Sequence, residues 1–283
     1  MIMQSRYQQV SIVSHTHGLK SDMVTVEEPL EIWIAYPDKN HDQAEFSLSI
    51  TMRTPGDDRA LAVGFLYAEG LIASYSDISE MEFFGPVSEP LEIQNQLKIH
   101  LKSGERVADK NFQRYFYSNS SCGVCGKSSI QALQMLRQPE IDEHNFVISE
   151  QLLKQLPDVL RASQQDFAQT GGLHAASLVD QNGVMSATKE DIGRHNAVDK
   201  LIGQMLLDGE RKTNDKMLLV SSRASFELVQ KALMTDIPFF CAIGAPSTAA
   251  IDLAKTFGMT LVGFLRDDDY NIYHGSHRIV SCP

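Results

Sequence analysis

With 283 residues, 43% of them hydrophobic, the chain is long enough for one large domain or two modest ones built on a real core. Its formal net charge of -11 argues against nucleic acid as a partner, because phosphate contacts need clustered Lys and Arg. No apolar run approaches the roughly 18 residues of a membrane span, and the polar opening MIMQSRYQQVSIVSHTHG lacks the regions of a signal peptide, so a cytoplasmic chain with free thiols and no membrane partner is expected.

Residues 1–26 read as a polar segment in which His15 and His17 are solvated. The stretch 27–120 reads as a small, mainly antiparallel α+β part. Leu30, Ile32 and Ile34 mark a strand before Tyr36 and Pro37, and Leu97, Ile99 and Leu101 mark another. Between them, residues 45–53 alternate, predicting a half-buried strand with Phe46, Leu48, Ile50 and Met52 inward and Ser47, Ser49, Thr51 and Arg53 outward. Pro55-Gly56-Asp57 signals a turn, and 58–72 a helix that buries Leu61, Phe65, Ala68 and Ile72.

An irregular run, 103–121, leads into a CxxC loop and short helix over 121–136, with Ile130, Leu133 and Leu136 as its apolar stripe. From 137 to 283 the pattern changes. AASLVD ends at the turn signal Asn182-Gly183, and MLLVSS (217–222), IPFFCAI (237–243) and TLVGFL (260–265) alternate with helices. The helix from about Arg194 carries Val198, Leu201, Ile202, Met205 and Leu206 and stops at Gly209. Phe226, Val229 and Leu233 mark the next helix; Ala250, Leu253 and Phe257 mark the last, ending at Gly258. Strand-helix alternation of this kind predicts a largely parallel sheet covered by helices.

Of the four cysteines, Cys241 sits in the apolar run IPFFCAI and reads as a buried structural thiol, and Cys282 lies next to the C-terminus. Cys122 and Cys125 form the one CxxC pair. Thiols beside Lys127 and close to a helix start have depressed pKa values, and the flanking glycines leave the sulfurs accessible. Three readings stay open. A structural zinc site lacks a second pair of ligands and would have to be shared between subunits, and the H-x-E or C-x-E triplet of zinc deaminases is absent upstream. A thioredoxin-like dithiol would sit at a strand-helix junction, not after an irregular aromatic stretch. A sulfur-relay cysteine needs only an exposed thiolate on a flexible loop, which this segment fits best; no metal is expected.

Three polar junctions share one layout: Glu190 to His195, Ser221 to Ser225, and Gly244 to Thr248. Each could simply cap a helix. At the carboxyl ends of strands, together, they predict a phosphorylated or nucleotide-bearing ligand held by helix N-termini at Asp191, Ser222 and Ser247 and by Arg194 and Arg223. His174, after Thr170-Gly171-Gly172, and His195 are further candidates. Neither GxGxxG nor a Walker loop occurs, so NAD and ATP are not indicated.

SCGVCGK (121–127), TGGLHAA (170–176), EDIGRHNAVDKLIG (190–203), VSSRASFELVQKA (220–232) and TLVGFLRDDDYNIYH (260–274) together resemble the FdhD family, in order, over about residues 27–280. The resemblance implies a three-layer αβα fold with a mixed sheet, similar to cytidine deaminases but without their zinc motif. It implies a sulfur carrier required by formate dehydrogenase, a sulfurtransferase working by persulfide relay. Sulfur would arrive from a cysteine desulfurase on Cys122, with Cys125 as its neighbour. It would pass to the bis-molybdopterin guanine dinucleotide form of the molybdenum cofactor, carried as cargo, with a guanine nucleotide able to stand in its place. A homodimer is implied as well. The family's cofactor-binding segment falls on Phe264, Leu265, Arg266, Asp267, Asp268 and Asp269, where the acidic run departs from more basic relatives and leaves the holding to backbone groups or Arg266. The alternatives are a non-catalytic chaperone of the cofactor and a CxxC thiol-disulfide oxidoreductase.

Overall fold

A computed structural model describes residues 6–37, 42–89, 91–108, 141, 146–209, 213–266 and 269–281. The CxxC segment with Cys122, Cys125 and the helix expected after it, together with Asp267, Asp268 and Cys282, lies outside the described residues.

The expected polar segment contains a hairpin, β1 (Tyr7–Ser14) and β2 (Gly18–Thr25), with Gly18 at φ 68° after its turn. His15 and His17 are exposed at its tip, as are Val13 and Leu19. A two-stranded ribbon is marginal alone. Its base is pinned where Arg6 donates to the Glu190 carbonyl and pairs with Asp166, and where Thr25 Oγ1 donates to Thr170 Oγ1.

The next sheet runs β4-β3-β6-β5, from β3 (Glu28–Pro37), β4 (Gln43–Arg53), β5 (Ile78–Ser88) and β6 (Ile93–Leu101). Its pairs are antiparallel except β3 with β6, which is parallel. The strand over 45–53 is present, but its inward face changes partway along. A register shift opposite Ile32 and Trp33 leaves Phe46 and Leu48 against the core while Ile50 is 66% and Met52 48% exposed. One extra residue in a strand of period two inverts everything beyond it. Helix α1 (Asp58–Ala68) also stops short of the expected Ile72, because Gly70 takes φ 75° and turns the chain. After the short α2 (Glu105–Ala108) come β7 (Ile148–Ser149), α3 (Glu150–Ser163) and α4 (Gln165–Thr170).

The C-terminal sheet has six strands in the order β13-β12-β11-β10-β8-β9. They are β8 (His174–Val179), β9 (Met185–Asp191), β10 (Met217–Val220), β11 (Phe239–Ala242), β12 (Thr260–Arg266) and β13 (Asp269–His274). Only β10, β11 and β12 are mutually parallel; β8 and β13 run antiparallel to their neighbours. The sheet is therefore mixed, not largely parallel. The Asn182-Gly183 turn joins β8 and β9 as a hairpin, and β13 returns from β12 without a crossover helix, so neither connection imposes parallel pairing. A two-residue strand, β14 (Ile279–Val280), pairs with β7.

Helices α5 (Arg194–Leu207), α6 (Phe226–Met234) and α7 (Thr248–Phe257) cover one face of this sheet. Their core, with Leu178, Leu218, Phe240 and Leu261 below, is continuous with α1 and with Leu30, Ile32, Leu97 and Ile99 of the four-stranded sheet. A second core packs Leu153, Leu156 and Leu160 of α3 on the opposite face, against Val179, Leu219, Phe239 and Val262. Cys241 lies fully buried here, where burial pushes its thiol pKa far up, as befits a structural cysteine. Helices α1 and α5 meet at Gly64 and Gly203, where a side chain on either glycine would collide with the facing backbone.

Candidate functional site

One edge of the six-stranded sheet collects the predicted binding residues that the structure describes; Cys122, Cys125, Asp267 and Asp268 lie outside the described residues. The carboxyl ends of β10, β11 and β12 lie there by parallel pairing, and antiparallel pairing brings the start of β8 to the same edge, with His174 opposite Asp191 at the end of β9. The Ser221–Ser225 and Gly244–Thr248 loops are bound to each other. The Gly244 N–H donates to the Ser222 carbonyl, Ala224 to Ala245, and Ser247 to Ala224. The Phe264 N–H donates to the Gly244 carbonyl, which fixes the third loop to the second.

The residues play unequal parts along this rim. Arg223 is exposed, and Arg194 is partly buried with an Nε that finds no acceptor among the described residues. His195 Nε2 lies 2.7 Å from Glu227 Oε2, and that contact holds the Glu227 carboxyl below its usual range. His174 is pushed down by burial first and by Arg194 second, so its imidazole is neutral at neutral pH. Phe264 takes φ 54°, an uncommon conformation for a bulky side chain that sets its ring partly in solvent, with the Arg266 guanidinium 5.9 Å from its centroid. Leu265 is shut in the second core, leaving only its backbone for a ligand, and Asp269 is exposed at the start of β13.

Asp191 and Ser222 differ most from expectation. Asp191 is fully buried. Its carboxylate accepts from the Thr54 N–H at 3.2 Å, the Gly193 N–H at 2.8 Å and Asn196 Nδ2 at 3.1 Å, and it pairs with Lys200 Nζ at 2.7 Å. Every lone pair is engaged, so Asp191 positions the Gly193–His195 turn and does not open the helix to an anion. Gly193 is the cap of α5. Ser222 is buried with its hydroxyl on the Arg223 carbonyl, and Ser225 is the residue at the start of α6. Ser247 does cap α7, accepting from the Ala250 N–H.

Sequence reasoning missed Thr54, Lys200 and Glu227. The Lys200 ammonium donates to the Thr54 carbonyl at 2.7 Å, tying the four-stranded sheet to the rim. Glu227 meets His195 across a sequence separation that no local pattern spans. Among the described residues no three His, Cys, Asp or Glu side chains gather as a metal site, and no helix is long and apolar enough to cross a membrane.

Comparison with known proteins gives a consistent result. Residues 26–280 match the FdhD/NarQ family. A Streptomyces coelicolor protein named sulfur carrier protein FdhD is 44% identical over 262 residues, covering 92% of this chain and 90% of that one. Proteins of the same name from Mycobacterium tuberculosis and Sulfurisphaera tokodaii are 43% and 37% identical, covering 92% and 95% of this chain and 92% and 96% of theirs. A crystal structure of a candidate formate dehydrogenase accessory protein from Desulfotalea psychrophila has a TM-score of 0.69 at 23% identity, covering 97% of this chain and 98% of that one.

Proposed function

The chain belongs to the FdhD/NarQ family, and on that premise we propose that it is a sulfur carrier that serves a formate dehydrogenase. The observation that carries this reading furthest is the single edge on which Arg194, His195, Arg223, Phe264 and Arg266 converge. It offers guanidinium groups, one of them with a buried Nε that is unpaired among the described residues, and an aromatic face to an anionic, ring-bearing cargo. The relatives' names supply the sulfur-carrying part of the reading.

In this reading the Cys122 thiolate attacks the terminal sulfur of a cysteine desulfurase persulfide, forming Cys122–S–SH while the desulfurase cysteine leaves as thiolate. The bis-molybdopterin guanine dinucleotide cofactor docks on the rim as cargo. Cys125 then attacks the Cys122 sulfur, and a disulfide forms. The terminal sulfur departs with the electron pair of the broken S–S bond, as hydrosulfide for the molybdenum. A cellular dithiol reductant restores the pair, and the sulfurated cofactor passes to formate dehydrogenase. The carrier works as a homodimer.

Incubation with a cysteine desulfurase and cysteine, followed by persulfide-selective alkylation and peptide mapping, tests the relay. One extra sulfur on Cys122 is the expected result, retained in Cys241→Ala, which should lose only about 1 kcal/mol of stability. A chaperone would bind cofactor and carry no sulfur; an oxidoreductase would give a Cys122–Cys125 disulfide without persulfide.

The rim makes its own prediction. GDP shares phosphates and guanine with the cargo, so it should bind the purified protein more tightly than ADP does. Arg223→Ala removes a charge-assisted phosphate contact worth about 1.5–3 kcal/mol, or roughly 10- to 150-fold in affinity. Calorimetric titration should show that loss, along with weaker binding at high salt. Equal, salt-insensitive affinity in wild type and variant would place the phosphates elsewhere.

A further inference from the structure

The β1–β2 hairpin belongs to neither large sheet, and among the described residues no strand pairs with β2 on the side away from β1. Gly18, Leu19, Lys20, Ser21 and Asp22 of that strand are all exposed. An unpaired strand edge is a template for another chain, and proteins commonly blunt such edges with bulges. The other described edge strands longer than two residues are blunted in this way: β4, β5, β9 and β13 each pair with their neighbour through a register shift. β1 and β2 pair over eight residues without one, so the edge of β2 is straight as well as open.

Charge decides what fits this edge. With a net charge of -11, two copies of the chain repel over most of their surface. The ribbon is an exception: from Tyr7 to Thr25 the only charged side chains, histidines aside, are Lys20 and Asp22. They flank Ser21 and share one face of β2. Antiparallel pairing of β2 with itself about Ser21 sets Lys20 opposite the partner's Asp22, and Asp22 opposite the partner's Lys20. On the other face Leu19 meets the partner's Met23, next to Val13, its neighbour within the ribbon. Leu19 is 79% and Val13 81% exposed in the single chain, so this pairing covers the most exposed apolar pair of the arm. A two-fold axis through Ser21 makes each contact twice, as an isologous interface requires. β1 carries no charge, and its edge selects no register of its own.

We propose that a second copy of this chain pairs with β2 along this edge, antiparallel and centred on Ser21, so that two ribbons join into one four-stranded sheet across the dimer axis. A two-stranded ribbon is marginal in water, whereas more strands sharing an apolar face hold together. Val13, Leu19 and Met23 of both copies form that face. The assignment rests on the homodimer of the reading above and supplies its surface and register; the sulfur chemistry does not enter it.

Ser21→Cys in the full chain tests the register. Opposed Cα atoms of an antiparallel pair lie about 4.5–5.5 Å apart, within the span of a disulfide. Oxidation with copper phenanthroline should give a covalent dimer, with a disulfide mapped by mass spectrometry between the two introduced thiols. Ser11→Cys is the control: Ser11 lies opposite Ser21 on β1, three strand spacings of about 4.8 Å from its mate in the paired sheet, and should give no such bond. Sedimentation velocity should show a wild-type dimer whose dissociation constant rises about tenfold or more in Lys20→Asp, where like charges face each other twice. The double variant Lys20→Asp, Asp22→Lys should return toward wild type. All these positions but Ser11's neighbours on β1 stand at an open edge, and equal melting temperatures check that the fold is kept. A dimer that neither cross-links through Ser21→Cys nor weakens in Lys20→Asp overturns the surface and leaves the homodimer standing. Equal weakening in the single and double variants overturns the register. A chain that sediments as a monomer at every concentration removes both, and leaves the β2 edge to a strand of a different protein.

Discussion

Gly203→Ala is expected to destabilise the protein by about 3 kcal/mol and lower its melting temperature by roughly 6–10 °C. In an unencumbered helix the same change adds about 1 kcal/mol, because alanine has the higher helical propensity. Here the sign reverses. A methyl group on Gly203 would overlap the Ala60 carbonyl, and one on Gly64 would overlap the Asp199 carbonyl. Both obstacles are backbone, so no rotamer change relieves them and the axes of α1 and α5 must separate. That separation opens the core shared by the four-stranded and six-stranded sheets, where Leu61, Leu66, Leu201 and Ile202 are all buried. Gly258, whose position is open and which ends α7 at φ 71°, is the control: Gly258→Ala should cost only about 1 kcal/mol. A melting temperature for Gly203→Ala equal to or above wild type would mean that the two helices do not meet backbone to backbone.

Asp191→Asn should cost more still, about 3–5 kcal/mol in a urea titration, because it leaves the fully buried Lys200 ammonium without its counter-ion. Burial already pushes Lys200 downward against the pull of Asp191, so removing the carboxylate pushes it further down and leaves the ammonium costly to keep buried. Adding Lys200→Met should therefore recover at least half of the loss, since it removes the stranded charge while the introduced carboxamide keeps an oxygen for the Gly193 N–H. The same substitution loosens the turn that carries Arg194 and His195. GDP affinity should fall in the single variant even under conditions where it remains folded. No recovery in the double variant would show that the backbone hydrogen bonds of Asp191, and not the ion pair, hold this junction.

These two predictions also mark where sequence reading reached its limit. The apolar stripe of α7 was legible because that helix buries one face, and a face is a local pattern; α5 and α6 are buried nearly all round, down to Asp199, Lys200 and Lys231, which no stripe announces. Strand β4 was legible as a strand but not in its orientation, because the register shift that exposes Ile50 and Met52 arises from pairing with β3. Gly203 read only as one position within the EDIGRHNAVDKLIG motif; its contact with Ala60 lies between elements more than a hundred residues apart. Asp191 looked like an anion-facing cap because an acidic residue before a helix is ambiguous until its partners are known. Thr54, Asn196 and Lys200 settle it as an internal staple.

What the amino-acid sequence determined by itself is the chemistry that travels in short motifs. The CxxC with its glycines and lysine, the three polar junctions and the buried setting of Cys241 all depend on neighbours within a few residues. Which junctions share an edge was decided by strand order, with His174 brought opposite Asp191 by a hairpin and Phe264 tied to Gly244 across two strands.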